Sequence, residues 1–313
     1  MAATRDTPPD SGHQPDSDPR PTPIAVPGGV LGSVGDLVED VVVHLLEPVN
    51  TASDTRSQVT RRRGGSAANV VEAACRAGGR ARFIGQVGDD STGDRLVADL
   101  AAVGAEVAVR RGGRTGTIVV LVSSDGERTM LTDRAACTEL SGVDDHWLDG
   151  LHTLHVPYYS LVGEPLATST AQLVAAAHSR GIRVSIDVSS TAVLLAEGTE
   201  RALRRIAGLR PHVVLANEDE AEVLGHGLHP QHLHGATVVV KRGAAPASVT
   251  AADGSLHRVP AVPIPSVRDT TGAGDAFAAG LLLAMAHGAD VVAAVGDAHR
   301  VAAAAVRRAS ALP

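Results

Sequence analysis

The sequence predicts an α/β fold in three layers, with a mainly parallel central sheet covered on both faces by helices and a small β-sheet lid beside it. Three observations carry that expectation. Short β-branched runs alternate with Ala/Leu-rich stretches of helical length, the pattern of βαβ units. Two further segments hold strand-like runs joined only by polar turns. The composition is 44% hydrophobic but only 2% aromatic, so Ala, Val and Leu must fill the core, and such small side chains suit close packing of helices on a sheet.

Taken in order, residues 1–23 ("MAATRDTPPDSGHQPDSDPRPTP") lack an apolar stretch and are dense in Pro, Asp and Ser, which predicts a disordered tail rather than a leader. Residues 24–313 are expected to form the folded domain. Within it, residues 37–62 and 112–133 read as the lid: "TIVVLV", "SSDGE" and "RTML" make a hairpin, and hairpins give antiparallel pairs that cannot enter a parallel sheet directly. Strands of the main sheet are expected at 81–88, 151–157, 181–188, 212–217 and 236–243, each ending in polar or glycine residues. Helices are expected between them, at 66–78, 91–103, 167–180, 199–208 and 217–224.

Charge and cysteine content narrow the function. A net charge of -7 offers no basic field for a polyanion, which argues against nucleic acid and for small-molecule ligands. The longest apolar run, "AFAAGLLLAMA" at 276–286, stops at His287, short of membrane-spanning length. No membrane partner and a cytoplasmic location are expected. Cys75 and Cys137 stand far apart without a CxxC pattern and read as free thiols. The loop "HGLHPQHLHG" carries His226, His229, His232 and His234, but the spacing fits no zinc pattern and reads as polar surface.

The string "TTGAGDAFAAG" (270–280) points to chemistry. Ligands of α/β sheets gather at the C-terminal ends of strands, where helix N-termini present free N–H groups. Gly272, Ala273 and Gly274 leave the backbone open, so their amides are expected to converge on an anionic oxygen cluster. Neither a Walker A loop nor a GxGxxG fingerprint occurs. Asp275, in the first helical turn, is expected to stay ionised through the helix dipole and to take a proton from a hydroxyl attacking a phosphoryl group. The structural alternative is that Thr270, Thr271 and Asp275 merely cap the helix.

The longer string "DTTGAGDAFAAGLL" resembles the C-terminal signature of the ribokinase-like sugar and nucleoside kinases, the family that includes the B-type phosphofructokinases. The resemblance implies the ribokinase-like fold, ATP and Mg²⁺ as cofactors, Asp275 as general base, and Thr270 and Thr271 on the nucleotide side. "GDLVEDVV" (35–42) resembles the family's first strand and implies Asp40, rather than Asp36, as the acid that binds sugar hydroxyls. "GGSAANVVEAACRAGG" (64–79) resembles its N-terminal signature, which implies a sugar held by Gly64, Gly65 and Asn69. "FIGQVGDDSTGDRL" (83–96) is also typical, as a strand, a turn and a helix capped near Ser91. "LANEDEAEVL" (215–224) resembles the Asn-x-x-Glu motif, so Asn217 and Glu220 are expected to orient water around Mg²⁺. Lys241 and Gly243, in "VVVKRGAAPASV", match the nucleotide-side strand and turn.

Departures bear on the substrate. "DVSST" (187–191) replaces the Asp-Pro-Asn-x-Arg of acid-sugar kinases, so the arginine for a substrate carboxylate is missing there. Ser66 stands where ribokinases proper tend to carry Lys. Nucleoside kinases stack the base on aromatic rings, and among Phe83, Phe277, Trp147, Tyr158 and Tyr159 only the tyrosine pair, at a strand end, suits that role. His155 reads as a strand-end residue near the substrate. The expected function is ATP-dependent phosphorylation of a hydroxyl, a primary one, on a small sugar. The alternatives are a nucleoside kinase and a non-enzymatic sugar-binding regulator. Exposed lid edges suggest a homodimer.

Overall fold

The computed structural model describes residues 29–123, 125–267 and 269–311; the expected tail, 1–23, lies outside them. In chain order the elements are β1 (Val30–Val34), β2 (Val38–Leu45), β3 (Ser57–Gly64), α1 (Ser66–Arg76), β4 (Ala81–Val87), α2 (Ser91–Ala102), β5 (Glu106–Arg111), β6 (Thr117–Val122), β7 (Arg128–Asp133), β8 (Leu151–Pro157) and α3 (Leu166–Ser179). There follow β9 (Arg183–Asp187), α4 (Thr191–Glu197), α5 (Thr199–Gly208), β10 (Val213–Asn217), α6 (Glu218–Leu224), β11 (Thr237–Lys241), β12 (Ala247–Thr250), β13 (Leu256–Val259), α7 (Ala273–Ala286) and α8 (Val291–Ala311).

Nine strands form one sheet in the order β13-β12-β11-β10-β9-β8-β1-β4-β5. From β11 to β5 every pair is parallel; β12 and β13 extend it as an antiparallel ribbon. Parallel strands are buried on both faces, so their side chains alternate between two cores. In β10, Val213 and Leu215 join the core under α1, α7 and α8, while Val214 and Ala216 join the opposite core under α3 and α5. The Ala-rich composition is used where α7 meets α8: a Cβ on Gly280 would stand 2.9 Å from the Ala298 backbone, so glycine there allows the two helices to approach closely.

The second sheet has the order β3-β2-β6-β7, with β2 parallel to β6 and the outer pairs antiparallel. One expectation needs correction. "GDLVEDVV" is not the first strand of the chain: that place is taken by β1, whose "VLGSV" is buried throughout, whereas Val38 onward runs in the smaller sheet, within the bounds 37–62 expected for the lid. Five residues interrupted by Gly32 and Ser33 are too short and mixed to stand out by periodicity. The N-cap of α2 is Asp90, whose carboxylate accepts from the Gly93 amide at 2.8 Å, next to Ser91, the first helical residue, near which the cap is expected. No helix among the described residues is long and apolar enough to cross a membrane.

Candidate active site

The C-terminal ends of β1, β8, β9, β10 and β11 open on one cleft, and α1 and α7 begin beside it, as expected for a parallel sheet. Helix α7 starts from Gly272, a left-handed residue at φ 73° with no side-chain cap. Its position suits glycine because a Cβ is disfavoured at positive φ. The capping alternative for Asp275 therefore fails. Its Oδ1 instead accepts from Ser66 Oγ at 2.7 Å and its Oδ2 from Asn69 Nδ2 at 2.9 Å.

Both donors lie at the start of α1, which follows Gly65 at φ 100°. A side chain on Gly65 would collide with the Asp36 carbonyl, so this glycine lets α1 begin against the turn after β1. Burial raises the Asp275 pKa to about 6, against the lowering effect of its two donors and of Lys241. The carboxyl therefore stays mostly ionised at neutral pH, but desolvation leaves it a smaller margin than an exposed carboxylate would have.

Of the three amides expected to hold an anion, that of Ala273 donates to Thr270 O at 3.1 Å and tightens the turn. Gly272 and Gly274 are left as the more available donors. Below the turn lies the Lys241 ammonium, 3.3 Å from where a Gly274 Cβ would sit. Lys241 donates to Asp187 Oδ2 at 2.5 Å, with side chains only 14% and 7% exposed. Burial opposes the charge on Lys241, but Asp187 prevails and holds its pKa above the ordinary value. Asp187 is a residue the sequence reading passed over, although a polar residue ending an apolar strand is a signal for this cleft.

Asn217 and Glu220 meet as expected, but chiefly with each other. Asn217 caps α6 by accepting from the Glu220 amide at 2.8 Å, and Glu220 accepts from the Asn217 amide at 2.8 Å and side chain at 2.9 Å. Burial first, then the charge of Asp187, pushes the Glu220 pKa upward. His155 is fully buried, 3.2 Å from Ser185 Oγ, and burial lowers its pKa to about 4, leaving it neutral. Gly243 lies in the exposed turn after β11 with open space above it.

On the other side of the cleft, the Asp40 carboxylate on β2 packs against Gly64, where any side chain would displace it, and stands 3.9 Å from Arg62. Asp36 is held by Arg134 through bonds of 2.7 and 2.6 Å, so of the two acids it is Asp36 that is occupied by a bidentate guanidinium. Arg134 also lies over the Tyr159 ring at 5.7 Å. The tyrosine pair divides: Tyr158 is buried with its hydroxyl on Glu197 at 2.5 Å, while Tyr159 stays beside Arg134 and reaches Ser189 O at 3.4 Å. Thr271 and Asp269 are gripped by Arg128 of β7, at 2.5 and 2.8 Å, and Thr270 is exposed next to them.

Among the described residues no group of three or more His, Cys, Asp or Glu side chains is placed to hold a metal ion.

The model of the pfkB family carbohydrate kinases matches residues 30–313. A fructokinase of Klebsiella pneumoniae is 32% identical over 263 residues, covering 80% of this chain and 83% of its own. A fructokinase of Escherichia coli is 30% identical over 234 residues, covering 70% and 75%. In three dimensions an adenosine kinase from Sinorhizobium meliloti superposes with a TM-score of 0.77 at 22% identity, over 90% of this chain and 100% of that one. A fructokinase from Xylella fastidiosa, solved with bound ATP, gives 0.76 at 23% identity, over 89% and 92%. At such identities the solved structures speak for the fold, which is the ribokinase-like three-layer arrangement expected from the sequence.

Proposed function

The chain belongs to the pfkB family of carbohydrate kinases, and on that premise we propose that it transfers the γ-phosphoryl group of ATP to a primary hydroxyl of a small sugar. Fructose is the first candidate, because relatives at 30% identity or more are fructokinases. The observation that carries the reading is the setting of Asp275: a carboxylate at the start of α7, fixed by Ser66 and Asn69 and standing beside the Lys241 ammonium.

Each part then has a task. Asp40 accepts sugar hydroxyls, with Gly64, Gly65 and Asn69 shaping the sugar's approach. As the hydroxyl oxygen bonds to phosphorus and the bridging P–O bond of the nucleotide breaks, the hydroxyl proton passes to Asp275. General-base assistance of this kind is worth about 10²–10⁴-fold. Negative charge on the transferred group meets the Gly272 and Gly274 amides, with Ala273 fixing the turn between them, and the Lys241 cation. Thr270, Thr271 and Gly243 border the nucleotide phosphates.

The donor chemistry fits Mg²⁺ carried by the nucleotide rather than a protein cage. Three carboxylates, Asp187, Glu220 and Asp275, share one ammonium, an acidic excess that suits a hydrated hard cation. Glu220 and Asn217 would orient its waters, and the ion would neutralise phosphate charge.

The test is ADP release from MgATP by the purified protein against fructose, other hexoses, pentoses, acid sugars and adenosine. Turnover on a sugar supports the reading. Turnover on adenosine alone selects a nucleoside kinase, and ligand binding with no ADP release on any compound selects a regulator.

A further inference from the structure

The smaller sheet reaches the anion-binding turn through its arginines. Arg128, the first residue of β7, donates from Nη2 to Asp269 Oδ1 at 2.8 Å and from Nη1 to Thr271 Oγ1 at 2.5 Å. Asp269 Oδ1 also accepts from the Thr271 amide at 2.7 Å. Asp269, Arg128 and Thr271 thus form a closed ring immediately before Gly272, the residue whose left-handed turn starts α7. From β3, the opposite edge of the same sheet, Arg62 stands 3.6 Å from Asp269 Oδ2 and 3.9 Å from Asp40 Oδ2. One guanidinium therefore lies between the sugar-side acid and the nucleotide-side turn. Although burial opposes the charge on Asp269, its bonds to Thr271 and Arg128 hold its carboxyl well below the usual range, so the ring stays charged at any working pH.

We propose that Arg128 is a positioning residue: it fixes the Thr271–Gly274 turn only when the smaller sheet lies over the cleft, so that a sugar holding the sheet down at Asp40 sets the geometry in which the phosphoryl charge is received. The inference rests on the proposed sugar kinase reading. It follows physically because Arg128 touches neither reacting group as placed here. Its two bonds lock Asp269 and Thr271, and they break if β7 lifts. Coupling through such an element is reciprocal: sugar tightens nucleotide binding by the same factor as nucleotide tightens sugar, in the range of about 5–150-fold for typical coupled sites.

The test measures binding of a non-hydrolysable MgATP analogue by calorimetry, with and without saturating fructose, or whichever panel compound is turned over. In the wild type the sugar is expected to tighten the analogue at least fivefold. In Arg128→Ala the sugar dissociation constant should stay within threefold, which also shows that the variant is folded. The coupling should vanish, kcat should fall at least tenfold, and the KM for sugar at saturating MgATP should rise by about the coupling factor that is lost. Arg128→Lys, a single ammonium unable to span both acceptors, should recover only part of the coupling. Wild-type coupling and kcat in Arg128→Ala would overturn the proposal, as would a wild type that turns over sugar without any coupling. Failure of the wild type to turn over any compound would instead overturn the kinase reading on which it rests.

Discussion

Asn69 and Asp275, 206 residues apart in the chain, meet at 2.9 Å, the amide donating to the carboxylate. A residue proposed to hold the sugar therefore also holds the proposed base, and on that proposal a sugar seated against Asn69 would present its hydroxyl beside Asp275. The same bond lowers the pKa of a carboxyl that burial raises to about 6. Because the base acts deprotonated, kcat should rise with pH through an acid limb near 6 and level off above it. Asn69→Ala should move that limb to higher pH and weaken sugar binding. A limb that stays in place in this variant would dissociate Asn69 from the base.

The raised pKa also fixes a stability dependence. Asp275 binds its proton more tightly in the folded state, at about 6 against an ordinary 3.8, so stability falls as pH rises between those values, by on the order of 3 kcal/mol. Asp275→Asn removes that penalty. Its melting temperature at pH 7.5 should be at or a few degrees above that of the wild type, and the difference should vanish below pH 4. A variant that melts well below wild type at pH 7.5 contradicts the desolvated setting of this carboxyl.

The Lys241–Asp187 pair separates structure from chemistry. Lys241→Met leaves Asp187 buried without its partner and should cost about 3–5 kcal/mol of stability. Adding Asp187→Asn should restore most of that stability but not turnover, because the cation beneath Gly274 is still missing. Recovery of turnover together with stability would make the pair purely structural.

How much of this was legible follows from where each signal sits. The glycines around Asp275 and before Asn69 are contiguous strings at helix starts, and one physical reason for them, positive φ at Gly272 and Gly65, is local. The alternation of strands and helices likewise exposed the layers. Asp187 and Lys241 come together only because β9 and β11 flank β10, and no spacing along the chain encodes that. The splitting of Tyr158 from Tyr159 is set by a single short 3-10 turn, residues 158–161. The loss of the Ala273 amide to Thr270 depends on the tightness of one turn. The reach of Arg128 from β7 to Asp269 crosses from one sheet to the other, beyond any periodicity.

The smaller sheet leaves β3 and β7 as edges, with Val59, Met130 and Leu131 each more than half exposed at 56%, 57% and 54%. Unpaired edges carrying apolar side chains favour pairing with a second copy. Sedimentation equilibrium should give the mass of two chains, and Val59→Lys with Met130→Lys should give one. A wild-type monomer at micromolar concentration would refute the pairing.

The central claim is that Asp275 takes the proton of the attacking hydroxyl. The most direct measurement is steady-state ADP release with fructose, or the panel compound that is turned over, by wild type and Asp275→Asn, alongside calorimetric binding of that sugar to both. The account predicts a kcat lower by about 10²–10⁴-fold with sugar affinity within a few-fold. Near-normal kcat in Asp275→Asn would contradict it.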